Sequence, residues 1–563
     1  MWYIRLGQLI LFLRISTVSL RPRITCSLLF SLSSVPNEYE IYGEILIPSP
    51  NRLLRPCRSH LAKIVFLLDD LNLSGMTLNL EFCEDIFQTS DFSTSVDNVV
   101  LSEKDITFKT YRAMKYQPLN KSIKFSRRLD NTRSNLYVFE QRNLLGNVET
   151  NRSLRPSLVH EIVDDFFRVF IDTSKFSEVV GDYIGQNVVA LENWLRTRTP
   201  LGKSALVRDL EASPDWRSDL NRFKIMVKAD MKTKLDGTAE TSLPSGQNIV
   251  YHRRNVCLLF SSVFQQLTER LKFLLKPHVK LFHGCSLDEF AQSLRDSAIG
   301  ELTSYYCAEV DLSKYDKSQN DFTKGIEHEI YRRLGLDAEL LDFWSASDFS
   351  SQVGSTSRGF SLSIGSQRRT GTATTWLGNT VVNMALMARV LGCEKFSSMA
   401  FSGDDSILFH HSPLDLDISN YELHFAFDVK LFRMTVPYFC SKFFVVGSSG
   451  LEFVPDPVKL FVSLGSEKND DESVMRERFI SFLDLTKAYE DLTVCDNLTT
   501  LVSVKWGYSD FLSCSLFALH SLRANFGQFM RLWRLCQQNV VFEKFDKKIK
   551  SNLVVDESDT FGN

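Results

Sequence analysis

The chain has 563 residues, 44% hydrophobic and 24% charged, a balance that excludes wholesale disorder and gives a core too large for one ordinary domain. Its net charge of -3, from 65 basic and 68 acidic residues, excludes a protein that coats nucleic acid by overall charge, so any nucleic-acid surface must be local. Its 11 cysteines form no C-x-x-C pair and no His/Cys cluster with zinc spacing. They read as core-filling free thiols in a reducing compartment.

In chain order, Met1 to Pro36 holds no acidic residue and carries the apolar run Leu9 to Leu13. Arg5 and Arg14 keep that run far short of a transmembrane span. It reads as a leader or a processing remnant, with a signal or transit peptide as the alternative. Residues 37 to 150 suggest no function. From Val159 to Leu195, Ile162, Phe166, Phe167, Val169 and Phe170 recur at helical spacing. Phe223 to Arg254 is basic, and apolar helical stretches follow to Leu294. From Ala308 short apolar runs end in polar turns, which suits strands and loops. After Asp470 the pattern is helical again. Asp470 or Asp471 can cap a helix with Met475, Phe479 and Phe482 on one face, and a later helix carries Phe526, Phe529, Met530 and Trp533. The tail beyond Phe545 is charged and expected to be loose.

Three segments carry chemistry. Ser402-Gly403-Asp404-Asp405-Ser406 lies between the apolar runs Met399–Phe401 and Ile407–Phe409. This is the pattern of a β-hairpin whose tight turn presents two carboxylates. Alone it says little, because Asp favours turns. Ala308 to Gln319 predicts a strand ending in Asp311, with Asp316 five residues on, after a turn. Gln367 to Thr380 predicts a Gly-centred loop and then a helix, with Thr375 and Asn379 on one face.

In this order the three segments resemble motifs A, B and C of positive-strand RNA virus polymerases. Motif A, D-x(4)-D, is met by Asp311 and Asp316. Motif B, T-G-x(3)-T-x(3)-N, is met by Thr370, Gly371, Thr375 and Asn379. Motif C is Gly403-Asp404-Asp405. Phe439-Cys440-Ser441-Lys442-Phe443 resembles the motif E turn of the alphavirus-like superfamily, and Phe453 to Lys459 resembles the segment after it. Met226 to Leu235, with Gln247-Asn248-Ile249 beyond, resembles the basic fingers motif. The wording is most similar to the closterovirus family of plant viruses, over roughly residues 200 to 470.

The resemblance implies an RNA-directed RNA polymerase: nucleotidyl transfer from ribonucleoside triphosphates to an RNA 3′-hydroxyl, by a two-metal mechanism with Mg²⁺ or, as a substitute, Mn²⁺. Asp311 and Asp404 are the expected metal ligands, with Asp405 auxiliary. Lys430, in the place of the motif D lysine, is the expected general acid. Lys228, Lys232 and Lys234 are expected on the triphosphate. Asp316 and Asn379 are expected to read the ribose 2′-hydroxyl with Thr375 beside them. Arg368, Arg369, Thr370, Gly371 and Lys442 are expected along the RNA.

The implied fold is an α+β right hand. Residues 1–150 form an N-terminal extension, 151–305 the fingers, 306–469 an antiparallel-sheet palm with a fingers insertion, and 470–563 a mainly helical thumb and tail. Implied partners are template and product RNA, ribonucleoside triphosphates and viral helicase and capping proteins. The implied place is a membrane-associated replication complex in host cytoplasm.

Gly202-Lys203-Ser204 fails as a phosphate loop because position 197 is Thr197, not Gly. His410-His411 has no third metal ligand near in sequence. Two other classes stay open. In a reverse transcriptase a bulky aromatic is expected at the place of Asp316. A non-catalytic scaffold on a polymerase-like core would not need all three carboxylates.

Overall fold

The computed structural model describes residues 156–535 except 214, 229–246, 297–305, 314, 356–359, 414, 426, 435 and 466–471; before them it describes only 2–6, 9–13, 100–101, 138–139 and 143. The architecture is mixed α+β. At the N-terminus strands β1 (Trp2–Leu6) and β2 (Leu9–Leu13) pair antiparallel.

The sheet that positions the chemistry has the order β12-β7-β11-β10-β6. Its strands are β6 (Val279–Leu281), β7 (Tyr306–Leu312), β10 (Ser398–Ser402), β11 (Asp405–His410) and β12 (Val429–Met434). Only β6 joins in parallel. It comes from upstream of residue 306, where the sequence reading opened this region. Side chains alternate across a strand. Ala308, Val310 and Leu312 of β7 therefore enter the main helical core, with Met399, Phe401 and Leu408. The opposite face carries Ile407, Phe409 and Ala400 at one end and Glu309, Asp311 and Asp405 at the other.

The helical core is built from α1 (Pro156–Phe170), α2 (Arg254–Leu274), α3 (Asp321–Arg333), α4 (Ala338–Phe349) and α5 (Thr375–Leu391). On α1 the predicted apolar stripe is buried through Ile162, Phe166, Val169 and Phe170, with Phe167 packed beside it. Each such side chain contributes about 1.5–3 kcal/mol, so packing rather than intrinsic propensity holds the helix. The strand-and-loop texture expected after Ala308 is interrupted by α3 and α4, while α5 is the helix expected after the Gly371 loop. Asn320 and Thr323 form a reciprocal capping box that starts α3, a signal the sequence reading passed over.

A second sheet, in the order β3-β9-β8-β4-β5, joins β4 (Arg222–Val227) and β5 (Asn248–His252) to β8 (Ser351–Ser355), β9 (Phe360–Ile364) and the short β3 (Val100–Leu101). Phe139 lies in its core with Phe223, Val250 and Val353. Asn248 Nδ2 donates to Asn143 Oδ1 at 2.6 Å. Residues from within 1–150 are thus part of this sheet.

The third sheet, β13 (Tyr438–Phe439), β14 (Lys442–Gly447) and β15 (Gly450–Pro455), is two-faced. Phe439, Phe444 and Phe453 pack toward the central sheet. Tyr438, Phe443, Val445 and Val454 pack toward the C-terminal helices. Those helices are α6 (Pro457–Gly465), α7 (Glu472–Leu485), α8 (Leu492–Trp506), α9 (Leu512–Arg523) and α10 (Phe526–Leu535). Met475, Phe482, Phe529 and Met530 are buried as their spacing predicts, with Phe479 and Phe526 against them. Asp470 and Asp471 lie outside the described residues.

Candidate active site

The predicted hairpin is formed by β10 and β11. Ser402 pairs with Asp405, leaving Gly403 and Asp404 as a two-residue turn. Gly403 has φ +66 and Asp404 does not share the positive sign, the pattern of a type II′ turn, which puts Gly first. One face of α5 holds this turn. Trp376 Nε1 donates to Ser402 Oγ (3.1 Å), the Gly403 amide donates to Thr380 Oγ1 (2.9 Å), and Asn383 Nδ2 donates to the Asp404 carbonyl (3.1 Å). The helical spacing of 376, 380 and 383 makes the three contacts coplanar with one stripe.

Leu408 lies opposite Ala308 in the β11–β7 ladder. Continued three residues further, the same register brings Asp405 level with Asp311, and the Ser406 hydroxyl donates to the Val310 carbonyl at 3.1 Å. On the other side of β7, Lys430 is directly opposite Asp311. The sheet therefore gathers acids from two separate segments. Burial, then Asp405, raises the Asp311 carboxyl, while Lys430 opposes the rise. Asp404 reaches solvent at the turn tip, yet protein walls crowd it. That crowding, followed by Asp405, Asp316 and Asp311, pushes it up to about 6. Sequence reasoning missed Glu309. It lies two residues before Asp311 and so on the same strand face. Burial, then Asp405 and Asp311, raises it to about 7, against Lys505 and Lys459.

Asp316 and Asn379, 63 positions apart, are brought together. Asn379 Nδ2 donates to Asp316 Oδ1 at 3.0 Å. Thr375 is on the same helix, but its hydroxyl accepts from the Thr372 amide (3.1 Å) and lies 3.0 Å from both the Arg369 and Thr372 carbonyls. It braces the loop before α5, which corrects the expectation that it faces the ribose. Thr370 and Gly371 dock that loop on β5. Thr370 Oγ1 donates to the Asn248 carbonyl (3.1 Å) and the Gly371 amide to the Val250 carbonyl (2.9 Å). A Cβ at position 371 would lie 2.6 Å from Ile249 Cγ2, so glycine is needed there for close approach.

Arg368 and Arg369 correct a second expectation. Both are only 1% exposed, so neither guanidinium lines an RNA path. Arg368 is bonded twice to Glu327, at 2.9 and 2.7 Å. Arg369 donates to the Asp348 carbonyl (2.7 Å) and to Ser351 Oγ (2.7 Å). Lys324 bridges Glu327 (3.0 Å) and Asp348 (3.1 Å). Buried charges persist only when paired and hydrogen-bonded, and this network meets that condition. His328, 3.0 Å from both Asp348 Oδ2 and Ser345 Oγ, gives a Ser-His-Asp array. Its Asp is committed to the buried network, so it is not a nucleophile site.

The remaining basic candidates fall apart in space. Lys228 follows β4, exposed, with its Nζ 3.4 Å from Gln247 Oε1. Lys232 and Lys234 lie outside the described residues. Lys442 Nζ donates to the Cys440 carbonyl (3.0 Å) and lies over the Phe282 ring. Cys440 and Ser441, both at positive φ, make the two-residue turn between β13 and β14. Lys505 of α8 is over the Tyr438 ring at 3.7 Å, with Lys459 over the same ring at 5.3 Å.

Oxygen-only donors suit a hard divalent cation. Among the described residues no three acidic, His or Cys side chains converge into a ready ligand group. An ion held by one or two carboxylates does not require such a group, because water and phosphate complete its shell. Burial and then Asp405 raise Asp311, Asp404 and Glu309 alike, so carboxylate oxygens are gathered here and the donor set fits a cation.

Residues 89–532 match the RNA dependent RNA polymerase family, and the chain belongs to it. The replicase polyprotein 1ab of Grapevine leafroll-associated virus 3 (isolate United States/NY1) is 38% identical over 475 residues, 84% of this chain and 17% of that protein. That of Beet yellows virus (isolate Ukraine) is 32% identical over 448 residues, 79% of this chain and 14% of that protein. RNA-directed RNA polymerase 2a of Tomato aspermy virus is 27% identical over 517 residues, 88% of this chain and 59% of that protein. The chain thus spans less than a fifth of the two replicase polyproteins, and both are closterovirus proteins, as the motif wording suggested. The family match begins inside the segment read as an extension over 1–150.

Proposed function

We propose that this chain is the catalytic core of an RNA-directed RNA polymerase that replicates and transcribes a positive-strand RNA virus genome. The observation that carries the reading is the register that sets Asp405 opposite Asp311 with Asp404 at the adjoining turn. A right hand accommodates the three sheets. The second sheet and its helices serve as fingers, the central sheet as palm, and α7 to α10 as thumb.

Asp311 and Asp404 would hold divalent cations, Mg²⁺ by preference or Mn²⁺, with Asp405 in support. When bound, such ions neutralise the attacking and leaving oxygens of an in-line displacement. Asp316 accepts from the 2′-hydroxyl of the incoming ribonucleotide and Asn379 orients that carboxylate. Lys430, beside Asp311, delivers a proton to the pyrophosphate leaving group. Lys228 meets the triphosphate at the finger sheet, and Lys442 holds a phosphate of the RNA near Asp405. Helicase and capping partners fit the replicase naming of the relatives. Among the described residues no helix is long and apolar enough to cross a membrane, so attachment to a cytoplasmic replication complex would run through those partners.

The test is radiolabelled ribonucleotide incorporation on an RNA template, with and without Mg²⁺, for wild type, Asp404→Ala and Asp405→Asn. Template- and metal-dependent product that disappears in Asp404→Ala supports the reading. Folded, RNA-bound wild type that makes nothing, even with Mn²⁺ and a primer, points instead to the scaffold alternative.

A further inference from the structure

Gln319 is fully buried, and its neighbours fix which way its amide faces. Arg368 Nη2 donates to Gln319 Oε1 at 2.8 Å, and a guanidinium can only donate. The Gln319 NH₂ must therefore turn the other way, toward Asn379 Oδ1 at 3.0 Å. Asn379 in turn gives its own NH₂ to Asp316 Oδ1 at 3.0 Å, an acceptor when ionised. The chain of bonds from Arg368 through Gln319 and Asn379 to Asp316 runs in one direction. Flipping either amide would set donor against donor or acceptor against acceptor.

The far end of this chain is anchored. Arg368 is doubly bonded to Glu327, which also accepts from the Tyr331 hydroxyl at 2.9 Å. Gly378, the residue before Asn379, leaves the space that this ion pair fills. A Cβ there would strike Glu327 and both Arg368 nitrogens, at 2.5 and 2.7 Å for the latter. The pair is thus pressed on the α5 backbone beside the amide it orients.

We propose that Glu327, Arg368 and Gln319 form a relay that sets sugar selection from behind the site, by holding Asn379 in the one orientation that presents Asp316 as acceptor to a ribose 2′-hydroxyl. This rests on the polymerase reading above. Gln319 and Arg368 act as positioning residues, since both are buried and reach the sugar only through Asn379. Gln319→Glu reverses the polarity. An ionised Glu accepts from Arg368 and from Asn379, so Asn379 must turn its Oδ1 toward Asp316, where two acceptors oppose. Gln319→Met keeps the volume and removes the polarity without reversing it.

The experiment measures kcat/KM for one ribonucleoside triphosphate and its 2′-deoxy counterpart on the same RNA template. It compares wild type, Gln319→Glu and Gln319→Met, each checked for a cooperative thermal melt. The ribo-to-deoxy ratio is expected to fall roughly tenfold in Gln319→Glu and about threefold in Gln319→Met, mainly through the ribonucleotide. Equal losses on both sugars, leaving the ratio within about twofold of wild type, would mean a merely structural role and overturn the relay. Should Gln319→Glu not fold, Gln319→Met decides alone by the same ratio. Active wild type with unchanged ratios removes only the relay. Folded wild type without product removes the polymerase reading and the relay with it.

Discussion

Glu309, Asp311 and Asp404 cluster at one end of the central sheet, where burial and then Asp405 raise the proton affinity of all three. Glu327 and Asp348 lie behind α5 among Lys324, Arg368 and Arg369, and their proton affinity is lowered. Burial alone would push Glu327 up. Arg368 and then Lys324 outweigh it and hold the group near 2. Asp348 is likewise held far below the usual carboxylate range, chiefly by Lys324, against its own burial. The same chemical group thus plays two parts. Acids that hold the fold come with their cations built in. Acids at the site are left in repulsion with Asp405, which on the proposed reading a bound substrate and its counter-ions would relieve.

The comparison breaks most visibly at Asp404. Asp404→Ala is expected to cut ribonucleotide incorporation by on the order of ten-thousandfold, about 5 kcal/mol in barrier, while leaving a cooperative melt. Loss of folding with activity would place Asp404 in the structural group. Arg368→Met should act first on stability. It leaves Glu327 buried with Lys324 as its remaining cation at a cost of about 3–5 kcal/mol, read as a lower denaturant midpoint. A midpoint unchanged from wild type would show that the network is dispensable.

Between the two regions lies the loop from Arg369 to Thr375. Gly371→Ala forces a methyl onto Ile249 and Tyr251 and should cost about 1–3 kcal/mol. Incorporation should fall further than stability, because the same loop leads into the helix that carries Asn379. A fall in stability with unchanged kcat/KM would refute that link.

The smallest effect concerns pH. Asp404 has a folded pKa near 6 against an ordinary 3.8, and Glu309 one near 7 against 4.5. A raised acid penalises the fold above its folded pKa, and the penalty fades as pH falls toward the ordinary value. Glu327 has the opposite sign. Its contribution is present above pH 4.5 and is lost as pH falls through about 2. In metal-free buffer Asp404→Asn should therefore stabilise the protein at pH 8, by no more than about 1 kcal/mol once screening at the exposed tip is allowed for. That gain should vanish below about pH 4. A gain that persists there would have to come from something other than charge.

The carboxylate turn was legible because its geometry is local: an apolar run, Gly-Asp, and another apolar run define a hairpin without help from elsewhere. The Asp316–Asn379 pair was legible only through the resemblance, since no local rule joins residues 63 positions apart. Arg368 and Arg369 misled because charge next to Thr-Gly suggests an exposed surface. Their burial is decided by Glu327 and Asp348, which arrive on other helices. Glu309 carried a usable signal in the alternation of β7, two residues from Asp311, that went unread. Lys459 and Lys505 carried none, because only the packing of the C-terminal helices on β13 to β15 brings them near Glu309. The same holds for Phe139 and Asn143, whose place in the second sheet no pattern within 37–150 announced.

The three bonds from Trp376, Thr380 and Asn383 fasten the hairpin tip to α5, the helix that also carries Asn379. On the proposed reading, the gauge that measures a sugar and the anvil on which the bond is made would therefore be cut from one piece. A nucleotide that seats badly against Asn379 would then also be displaced from Asp404, so a wrong sugar would slow its own addition without any separate proofreading step.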